Sequence, residues 1–250
     1  MNTLMGARSA AMGYASAILR DETSMFNNPG AILTNGPSAF FAYEASALLP
    51  GANRMAAGML LPAAGGIAGL GLFRFGDDLY NEQIARMSYG NQLGLASLGI
   101  RVNYVQYHAD GYENKNAITL DFGGLAQITN EISVGACIIN LNQAEIAPGE
   151  KLPIRLVAGI GFRIEKNFIL TTEINKDVNF GATWHTGFEY NFRERLFFRT
   201  GYSLNPNAIH AGLGAKIKRL SVDYALVFNP ILGDIHQASA ILRFNKASSK

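Results

Sequence analysis

Three observations predict an all-β chain, a single transmembrane antiparallel β-barrel of about fourteen strands with a short N-terminal helical plug segment in its lumen. Apolar and polar residues alternate through most of the 250 residues. Charged residues make up only 16% while hydrophobic residues make up 48%, well under the quarter or so of charge usual in a soluble domain. The N-terminal stretch resembles nothing after it. No run of about 18 apolar residues exists, so a spanning helix is excluded and any crossing must be made by a closed barrel. The formal charge of +2 is too small to argue for a nucleic-acid partner, and the lone Cys137 permits no internal disulfide. The chain divides into a plug segment, 1–36, and a barrel, 37–250.

The plug segment comes first. Gly6, Ala7, Ser9, Ala10, Ala11, Gly13, Ala15, Ser16 and Ala17 form a run of small residues that can lie against another backbone in a confined space. Asp21 then offers an N-cap, with Thr23 and Ser24 as alternatives, for a short helix stopped by Asn27-Asn28-Pro29-Gly30. Too little apolar surface is present for this piece to fold alone.

From residue 37 onward, alternation predicts strands over about 39–48, 53–62, 66–76, 81–90, 93–108, 116–127 and 131–142. The second half adds 153–164, 167–176, 181–192, 195–204, 208–217, 220–229 and 235–244. The period is cleanest there: Leu156, Ala158, Ile160, Phe162 and Ile164 make one face, and Arg155, Val157, Gly159, Gly161 and Arg163 the other. An even number of strands lets both termini lie on one side of the membrane.

Alternation does not separate a soluble sandwich from a membrane barrel, because each has one apolar and one polar face. The polar face decides in favour of a barrel. It carries Gly135, Gly159, Gly161, Gly187, Gly201, Gly212 and Gly214 rather than the Lys, Glu and Thr of a solvated face, and glycine in a strand suits close approach by another backbone. Connections also alternate in length. Tight turns are expected at 63–65, 91–92, 128–130, 165–166, 193–194 and 218–219, with mostly longer loops between them on the other rim.

The lumen-facing charges expected from this phase are Arg101, Arg155, Arg163, Glu173, His185, Glu189, Arg199, Lys216, Asp223 and Arg243. They fix the plug by paired contacts, attract an anionic head group, or simply pair with one another in a hydrated interior. Asp21 and Glu22 are the plug's expected partners for lumenal arginines. Tyr43, Phe75, Tyr80, Tyr104, Trp184, Phe192, Tyr202 and Phe228 suit interfacial girdles, although a sandwich core would use the same residues. His108, His185, His210 and His236 lack metal-ligand spacing, and Gly65 to Gly71 lacks the spacing of a dinucleotide fold. No nucleophile and base are brought together by sequence, so neither catalysis nor a cofactor is expected.

The order Gly6-Ala7-Arg8, Met12-Gly13, Ala15, Asp21, Phe26, Asn28-Pro29-Gly30 resembles the N-terminal signature of the PorV/PorQ-type outer-membrane proteins, relatives of the FadL fatty-acid transporters. Gly30 stands where alanine is usual and Tyr14 where glycine is common. The alternating end that finishes on Leu242, Arg243 and Phe244 resembles the C-terminal signal read by the barrel-assembly machinery. Leu232-Gly233-Asp234 and His236 are similar to the closing strand of PorV-like chains, with the tail 245–250 as a departure. The resemblance implies residence in the outer membrane of a Gram-negative bacterium, among its lipids. The chain starts MNTLMGARSA without a basic and then apolar leader, so a signal peptide is expected upstream or already removed. It further implies an accessory, docking or channel-sealing role in the type IX secretion system, beside a large translocon barrel or other subunits. The alternative it carries is FadL-like transport of hydrophobic small molecules through a lateral opening, which needs a kinked wall strand near the plug and an apolar pocket.

Overall fold

The computed structural model describes residues 3–231 and 233–244. Fourteen antiparallel strands close on themselves. They are β1 (Ser38–Ser46), β2 (Arg54–Ala63), β3 (Gly66–Gly76), β4 (Tyr80–Leu93), β5 (Ala96–Ala109), β6 (Lys115–Gln127) and β7 (Ile132–Ile139). A small hairpin, β8 (Glu145–Ala147) and β9 (Glu150–Lys151), leaves the wall after β7. The barrel resumes with β10 (Arg155–Glu165), β11 (Phe168–Asp177), β12 (Ala182–Phe192), β13 (Leu196–Leu204), β14 (Ala208–Ile217), β15 (Leu220–Asn229) and β16 (Gly233–Arg243). Each strand pairs with its neighbours along the chain, and β7 pairs with β10 across the hairpin. Pairing of Ser38 with Arg243 and Ser46 with Ile235 joins β16 to β1, so no strand edge is left open to lipid.

The outward face is apolar. Leu70, Leu72, Met87, Ile118, Ile209 and Leu213 are all exposed on it, which is the arrangement a lipid-facing wall requires. Tyr43, Tyr104, Trp184, Phe192, Tyr202 and Phe228 share this face, whereas Tyr80 lies against Phe75 and donates to Glu82 on the inward phase. Phe75 packs inward against the core, because it shares the phase of Phe73 two residues earlier in β3. Tight turns gather on the rim where β1 begins and β16 ends, and the longer connections on the other. In the β3–β4 connection the backbone N–H groups of Tyr80 and Leu79 donate to Asp77 and hold its carboxyl below the usual carboxylate range.

Several boundaries differ from the alternation. The β4–β5 turn falls at Gly94 and Leu95, not at Asn91 and Gln92, because those two polar residues still pair with Leu98 and Ser97 while Gly94 supplies the left-handed backbone at φ +65°. β7 stops at Ile139, short of the expected residue 142, because Asn140 takes φ +57° and donates its backbone N–H to Asp121. The β8–β9 hairpin occupies what reads as a plain loop. β16 begins at Gly233, two residues early. Leu232 and the tail 245–250 lie outside the described residues.

Residues 3–36 run inside the barrel. The small-residue run makes one short helix, α1 (Ala7–Ala11), and Asp21 caps a 3-10 turn over Glu22–Met25. There Asp21 Oδ1 accepts from the Thr23 N–H at 2.9 Å and Ser24 Oγ accepts from the Asp21 N–H at 3.1 Å. Asn28 caps a second such turn, Pro29–Ala31. The short helix expected after Asp21 is a 3-10 turn that ends ahead of the expected stop at Asn27–Gly30, and the second turn begins within that stop.

The lumen has two unlike sides. Toward β1–β5, Met5, Met25, Phe26 and Ile32 of the plug pack on Phe40, Ala42, Leu60, Phe73, Ile84 and Val105. Toward β10–β16 the wall is charged and glycine-rich. The charged, glycine-rich lumen expected extends to the first half of the wall, where Glu44, Arg86 and Arg101 and Gly58, Gly71 and Gly99 also face inward; what the expectation lacked is the apolar cluster among them that buries the plug's apolar residues.

Candidate functional site

The contact between plug and wall is built first from missing side chains. At Gly135 a Cβ would overlap the Ala17 carbonyl, at Gly187 that of Met12, at Gly201 the Gly13 N–H, and at Gly212 the Ala11 side chain. Gly161 is filled by Ile18 and Gly159 by Ala17. Across Gly187 and Gly201, which pair directly in β12 and β13, the plug backbone passes over the sheet. Gly13 itself needs φ +69° there. Gly6 (φ +111°) lies against Thr23 within the plug. Gly214 is the exception among the predicted lumenal glycines, for its space is taken by the wall residues Asp223 and Arg199.

Charge then fastens the plug. Arg8 donates from Nε and Nη2 to the two carboxylate oxygens of Glu189, both at 2.8 Å, and from Nη1 to Asp21 at 3.0 Å. Glu189 also accepts from Arg199 Nε at 2.6 Å, and Arg199 Nη1 donates to Asp223 at 2.6 Å. The paired fork of Arg8 on Glu189 fixes direction as well as distance. On the closing strand, Arg243 Nε and Nη2 donate to both oxygens of Glu22 at 2.6 and 2.9 Å. Of the plug's two acids, Glu22 therefore meets a wall arginine, whereas Asp21 meets Arg8 of the plug and reaches the wall only through it.

Side chains that take up the plug's backbone groups complete the fastening. Glu173 Oε2 accepts from the backbone N–H groups of Ser16 and Ala17 at 2.8 and 2.6 Å. His185 Nδ1 lies 2.6 Å from the Gly13 carbonyl and His210 Nδ1 lies 2.7 Å from that of Ala10. A carbonyl only accepts, so both rings carry their proton on Nδ1. Asn28 Nδ2 donates to the carbonyls of Ala17 and Gly124. Pro29 abuts Gly99 and Gly123, while Met12 is fully buried against Gly187.

The remaining expected residues are placed as follows. Arg101 is buried, with Nε 2.7 Å from Asp121 and Nη1 2.8 Å from the Met25 carbonyl. Arg155 lines a small cavity in the lumen, whereas Arg163 and Lys216 line a polar basin at the tight-turn rim. Leu242 and Phe244 are exposed on the outer face, on either side of inward-pointing Arg243. His108 and His236 lie apart from the lumenal pair, on Asn114 and Tyr224. Among the described residues no three His, Cys, Asp or Glu side chains gather as metal ligands.

Several contacts escaped the sequence. Glu44 accepts from Tyr14 Oη at 2.9 Å, from Arg54 Nη1 at 2.8 Å and from Gln237 Nε2 at 2.8 Å. Arg86 lies over the Phe26 ring, 4.2 Å from its centroid. The parity of Phe40 and Ala42 points Glu44 inward, so the signal was present in the alternation itself.

The wall is weakest at β7. β6 and β7 pair only from Phe122 with Ile138 to Gln127 with Ser133. Beyond, the Leu141 N–H donates to the Leu120 carbonyl, and the Asn142 side chain bridges the Leu120 N–H and the Ile118 carbonyl. A side-chain amide thus stands in for a strand. Beside this seam an apolar groove of about 710 Å³ opens on the outer wall, lined by Phe122, Ala136, Ile138, Ile160, Ile174 and Trp184. Its floor includes Gly135, Gly159 and Cys137, directly against Ala17 of the plug.

A closed, plugged fourteen-strand barrel with an apolar groove at an interrupted strand is the class these features define. No family model matches the chain, and no curated protein sequence matches it. Solved structures share its fold. The Pseudomonas putida toluene transporter TodX matches with a TM-score of 0.72 at 11% identity, over 99% of this chain and 100% of the other. A TodX variant described as a monoaromatic hydrocarbon channel gives 0.75 at 11% identity, over 98% and 100%. A Pseudomonas aeruginosa FadL homologue gives 0.68 at 11% identity, over 96% and 98%. The likeness is to the fold of FadL-type channels, and nothing in these comparisons singles out the PorV/PorQ group.

Proposed function

We propose that this protein is an outer-membrane channel of the FadL type that passes apolar small molecules between the groove at β7 and the lumen, with the plug as its gate. The observation that carries the reading is the coincidence of three features at one place. β7 is the shortest wall strand, the groove beside it is almost wholly apolar, and only glycine separates its floor from the plug residue Ala17. The fold shared with a toluene transporter supports the same reading. The docking or sealing role in type IX secretion now rests on the N-terminal motif alone and takes second place.

Ala17 packs against the native Cys137, which supplies the test. In the Ala17→Cys variant, oxidation is expected to tie the plug to β7 and abolish uptake of labelled toluene or fatty acid by cells, and reduction to restore it. Uptake equal with the tether closed and open, or equal in cells lacking the protein, would sink the transport reading. Co-purification of stoichiometric secretion subunits would then favour the docking role.

A further inference from the structure

The two rims of the barrel carry opposite charge. The long connections at 77–79, 110–114 and 140–154 hold Asp77, Asp78, Asp110, Glu113, Glu145 and Glu150 against one cation, Lys151. At the tight-turn rim, the successive turns of β10–β11, β12–β13 and β14–β15 hold Lys166, Arg193, Arg195, Lys218 and Arg219, all exposed, against Glu194. The small formal charge of +2 conceals this separation.

The first of these turns opens onto the polar basin, a space of about 370 Å³. The basin's carboxylates, Asp21, Glu22, Glu189 and Asp223, are all engaged by Arg8, Arg199 and Arg243. Arg20, Arg163, Lys166 and Lys216 line the same space and enter no ion pair among the described residues. The rim's other carboxylates, Glu131, Glu165 and Glu194, are exposed and likewise outside any ion pair, three against eight cations. The Asn191 N–H donates to the Asn167 carbonyl and the Lys216 N–H to that of Arg195, both at 2.8 Å, which sets the turns side by side. At about 4.8 Å per strand, the three turns follow an arc of about 20 Å.

We propose that the tight-turn rim over β10–β15 docks an acidic peptide segment of a soluble partner protein, laid along the arc with carboxylates in the basin. Repulsion among neighbouring cations is relieved by such a chain all along the arc, and by a single ion only at one point. An extended chain rises about 3.3 Å per residue, so about six residues follow the arc, which no phosphate or free carboxylate spans. Bilayer head groups lie outside the wall, whereas Arg163, Lys166 and Lys216 line the basin within the ring of strands. Asp21, Glu22 and Thr23 of the plug line the basin too, so the docked segment reaches the plug. Docking at this rim does not depend on passage through the groove at β7.

The test uses the full chain in uncharged detergent and a fluorescein-labelled hexaglutamate peptide, followed by anisotropy at constant ionic strength. One saturable site per barrel is expected, with hexaglutamine refused. Arg163→Gln, Lys166→Gln and Lys216→Gln combined are expected to weaken binding about tenfold, whereas Arg74→Gln with Lys151→Gln, on the other rim, keeps it within about twofold. Heat-modifiable gel mobility shows independently that each variant is folded. Absence of saturable binding, equal binding of hexaglutamine, or equal loss in the two sets of variants would each overturn the assignment. Displacement of the peptide by an equal concentration of inorganic phosphate would overturn it in favour of a small-anion site. Phosphatidylglycerol retained through purification is measured alongside. Retention that falls in the triple variant, with no peptide bound, would assign the rim to the membrane instead.

Discussion

Arg8 joins the two halves of the plug's fastening, since one guanidinium serves both Glu189 on the wall and Asp21 on the plug. Glu189 is nearly inaccessible and keeps Arg199 when Arg8 is removed, whereas Asp21 loses its only ion pair among the described residues. Removing one member of a buried pair costs about 3–5 kcal/mol, and Arg8 is 19% exposed, so the low end applies. Arg8→Met is expected to weaken seating of the plug by about 3 kcal/mol, seen as frequent open events in planar-bilayer recordings where the parent is quiet. The glycines act by the opposite means, through absence. Gly201→Val places methyl groups where Met12 and Gly13 lie. It is expected to raise conductance while leaving the heat-modifiable barrel intact. A loss of the barrel itself would mean that Gly201 serves strand bending and not close approach.

At the scale of elements, the plug and β7 depend on each other. The plug has one short helix and two tight turns, and too little apolar surface to fold alone. Its order comes from Glu173, His185 and His210 taking up its backbone groups, and from Met5, Met25 and Phe26 filling the apolar side. β7 in turn is completed by Asn140 and Asn142, whose side chains stand where a longer strand would supply backbone groups. Asn142→Ala removes the bridge to Leu120 and Ile118. It is expected to speed uptake of the apolar probe without changing plug conductance, a separation that measuring both in one preparation would check.

For the whole molecule, the backbone ladder that closes β1 on β16 runs between the two strands themselves, with the plug adding only side-chain contacts to them, so a chain lacking residues 1–36 is expected to close its barrel. The apolar lumenal wall formed by Phe40, Phe73, Ile84 and Val105 would then face water. Such a truncated barrel should therefore melt at lower temperature than the parent and conduct ions steadily, as circular dichroism and bilayer recording would show. A barrel that fails to form at all would make the plug part of the folding core.

Strand number, the inward phase of the charges and the confinement of the N-terminal stretch were all legible in the chain, because each rests on a period of two or on a local run of small residues. Arg155, Glu189 and Asp223 share one phase in their strands, and that phase is enough to turn them inward. Which charge meets which depends on the stagger between strands and on the depth the plug reaches, and no local pattern encodes either. Tertiary structure alone therefore decided that Asp21 pairs with Arg8, that Arg86 is left with Phe26, and that β7 gives way at Asn140. The apolar cluster in the lumen belongs with these. Phe40 or Ile84 reads as ordinary alternation until the plug is laid against it, since burial inside a barrel is set by what fills the lumen and not by the strand that lines it.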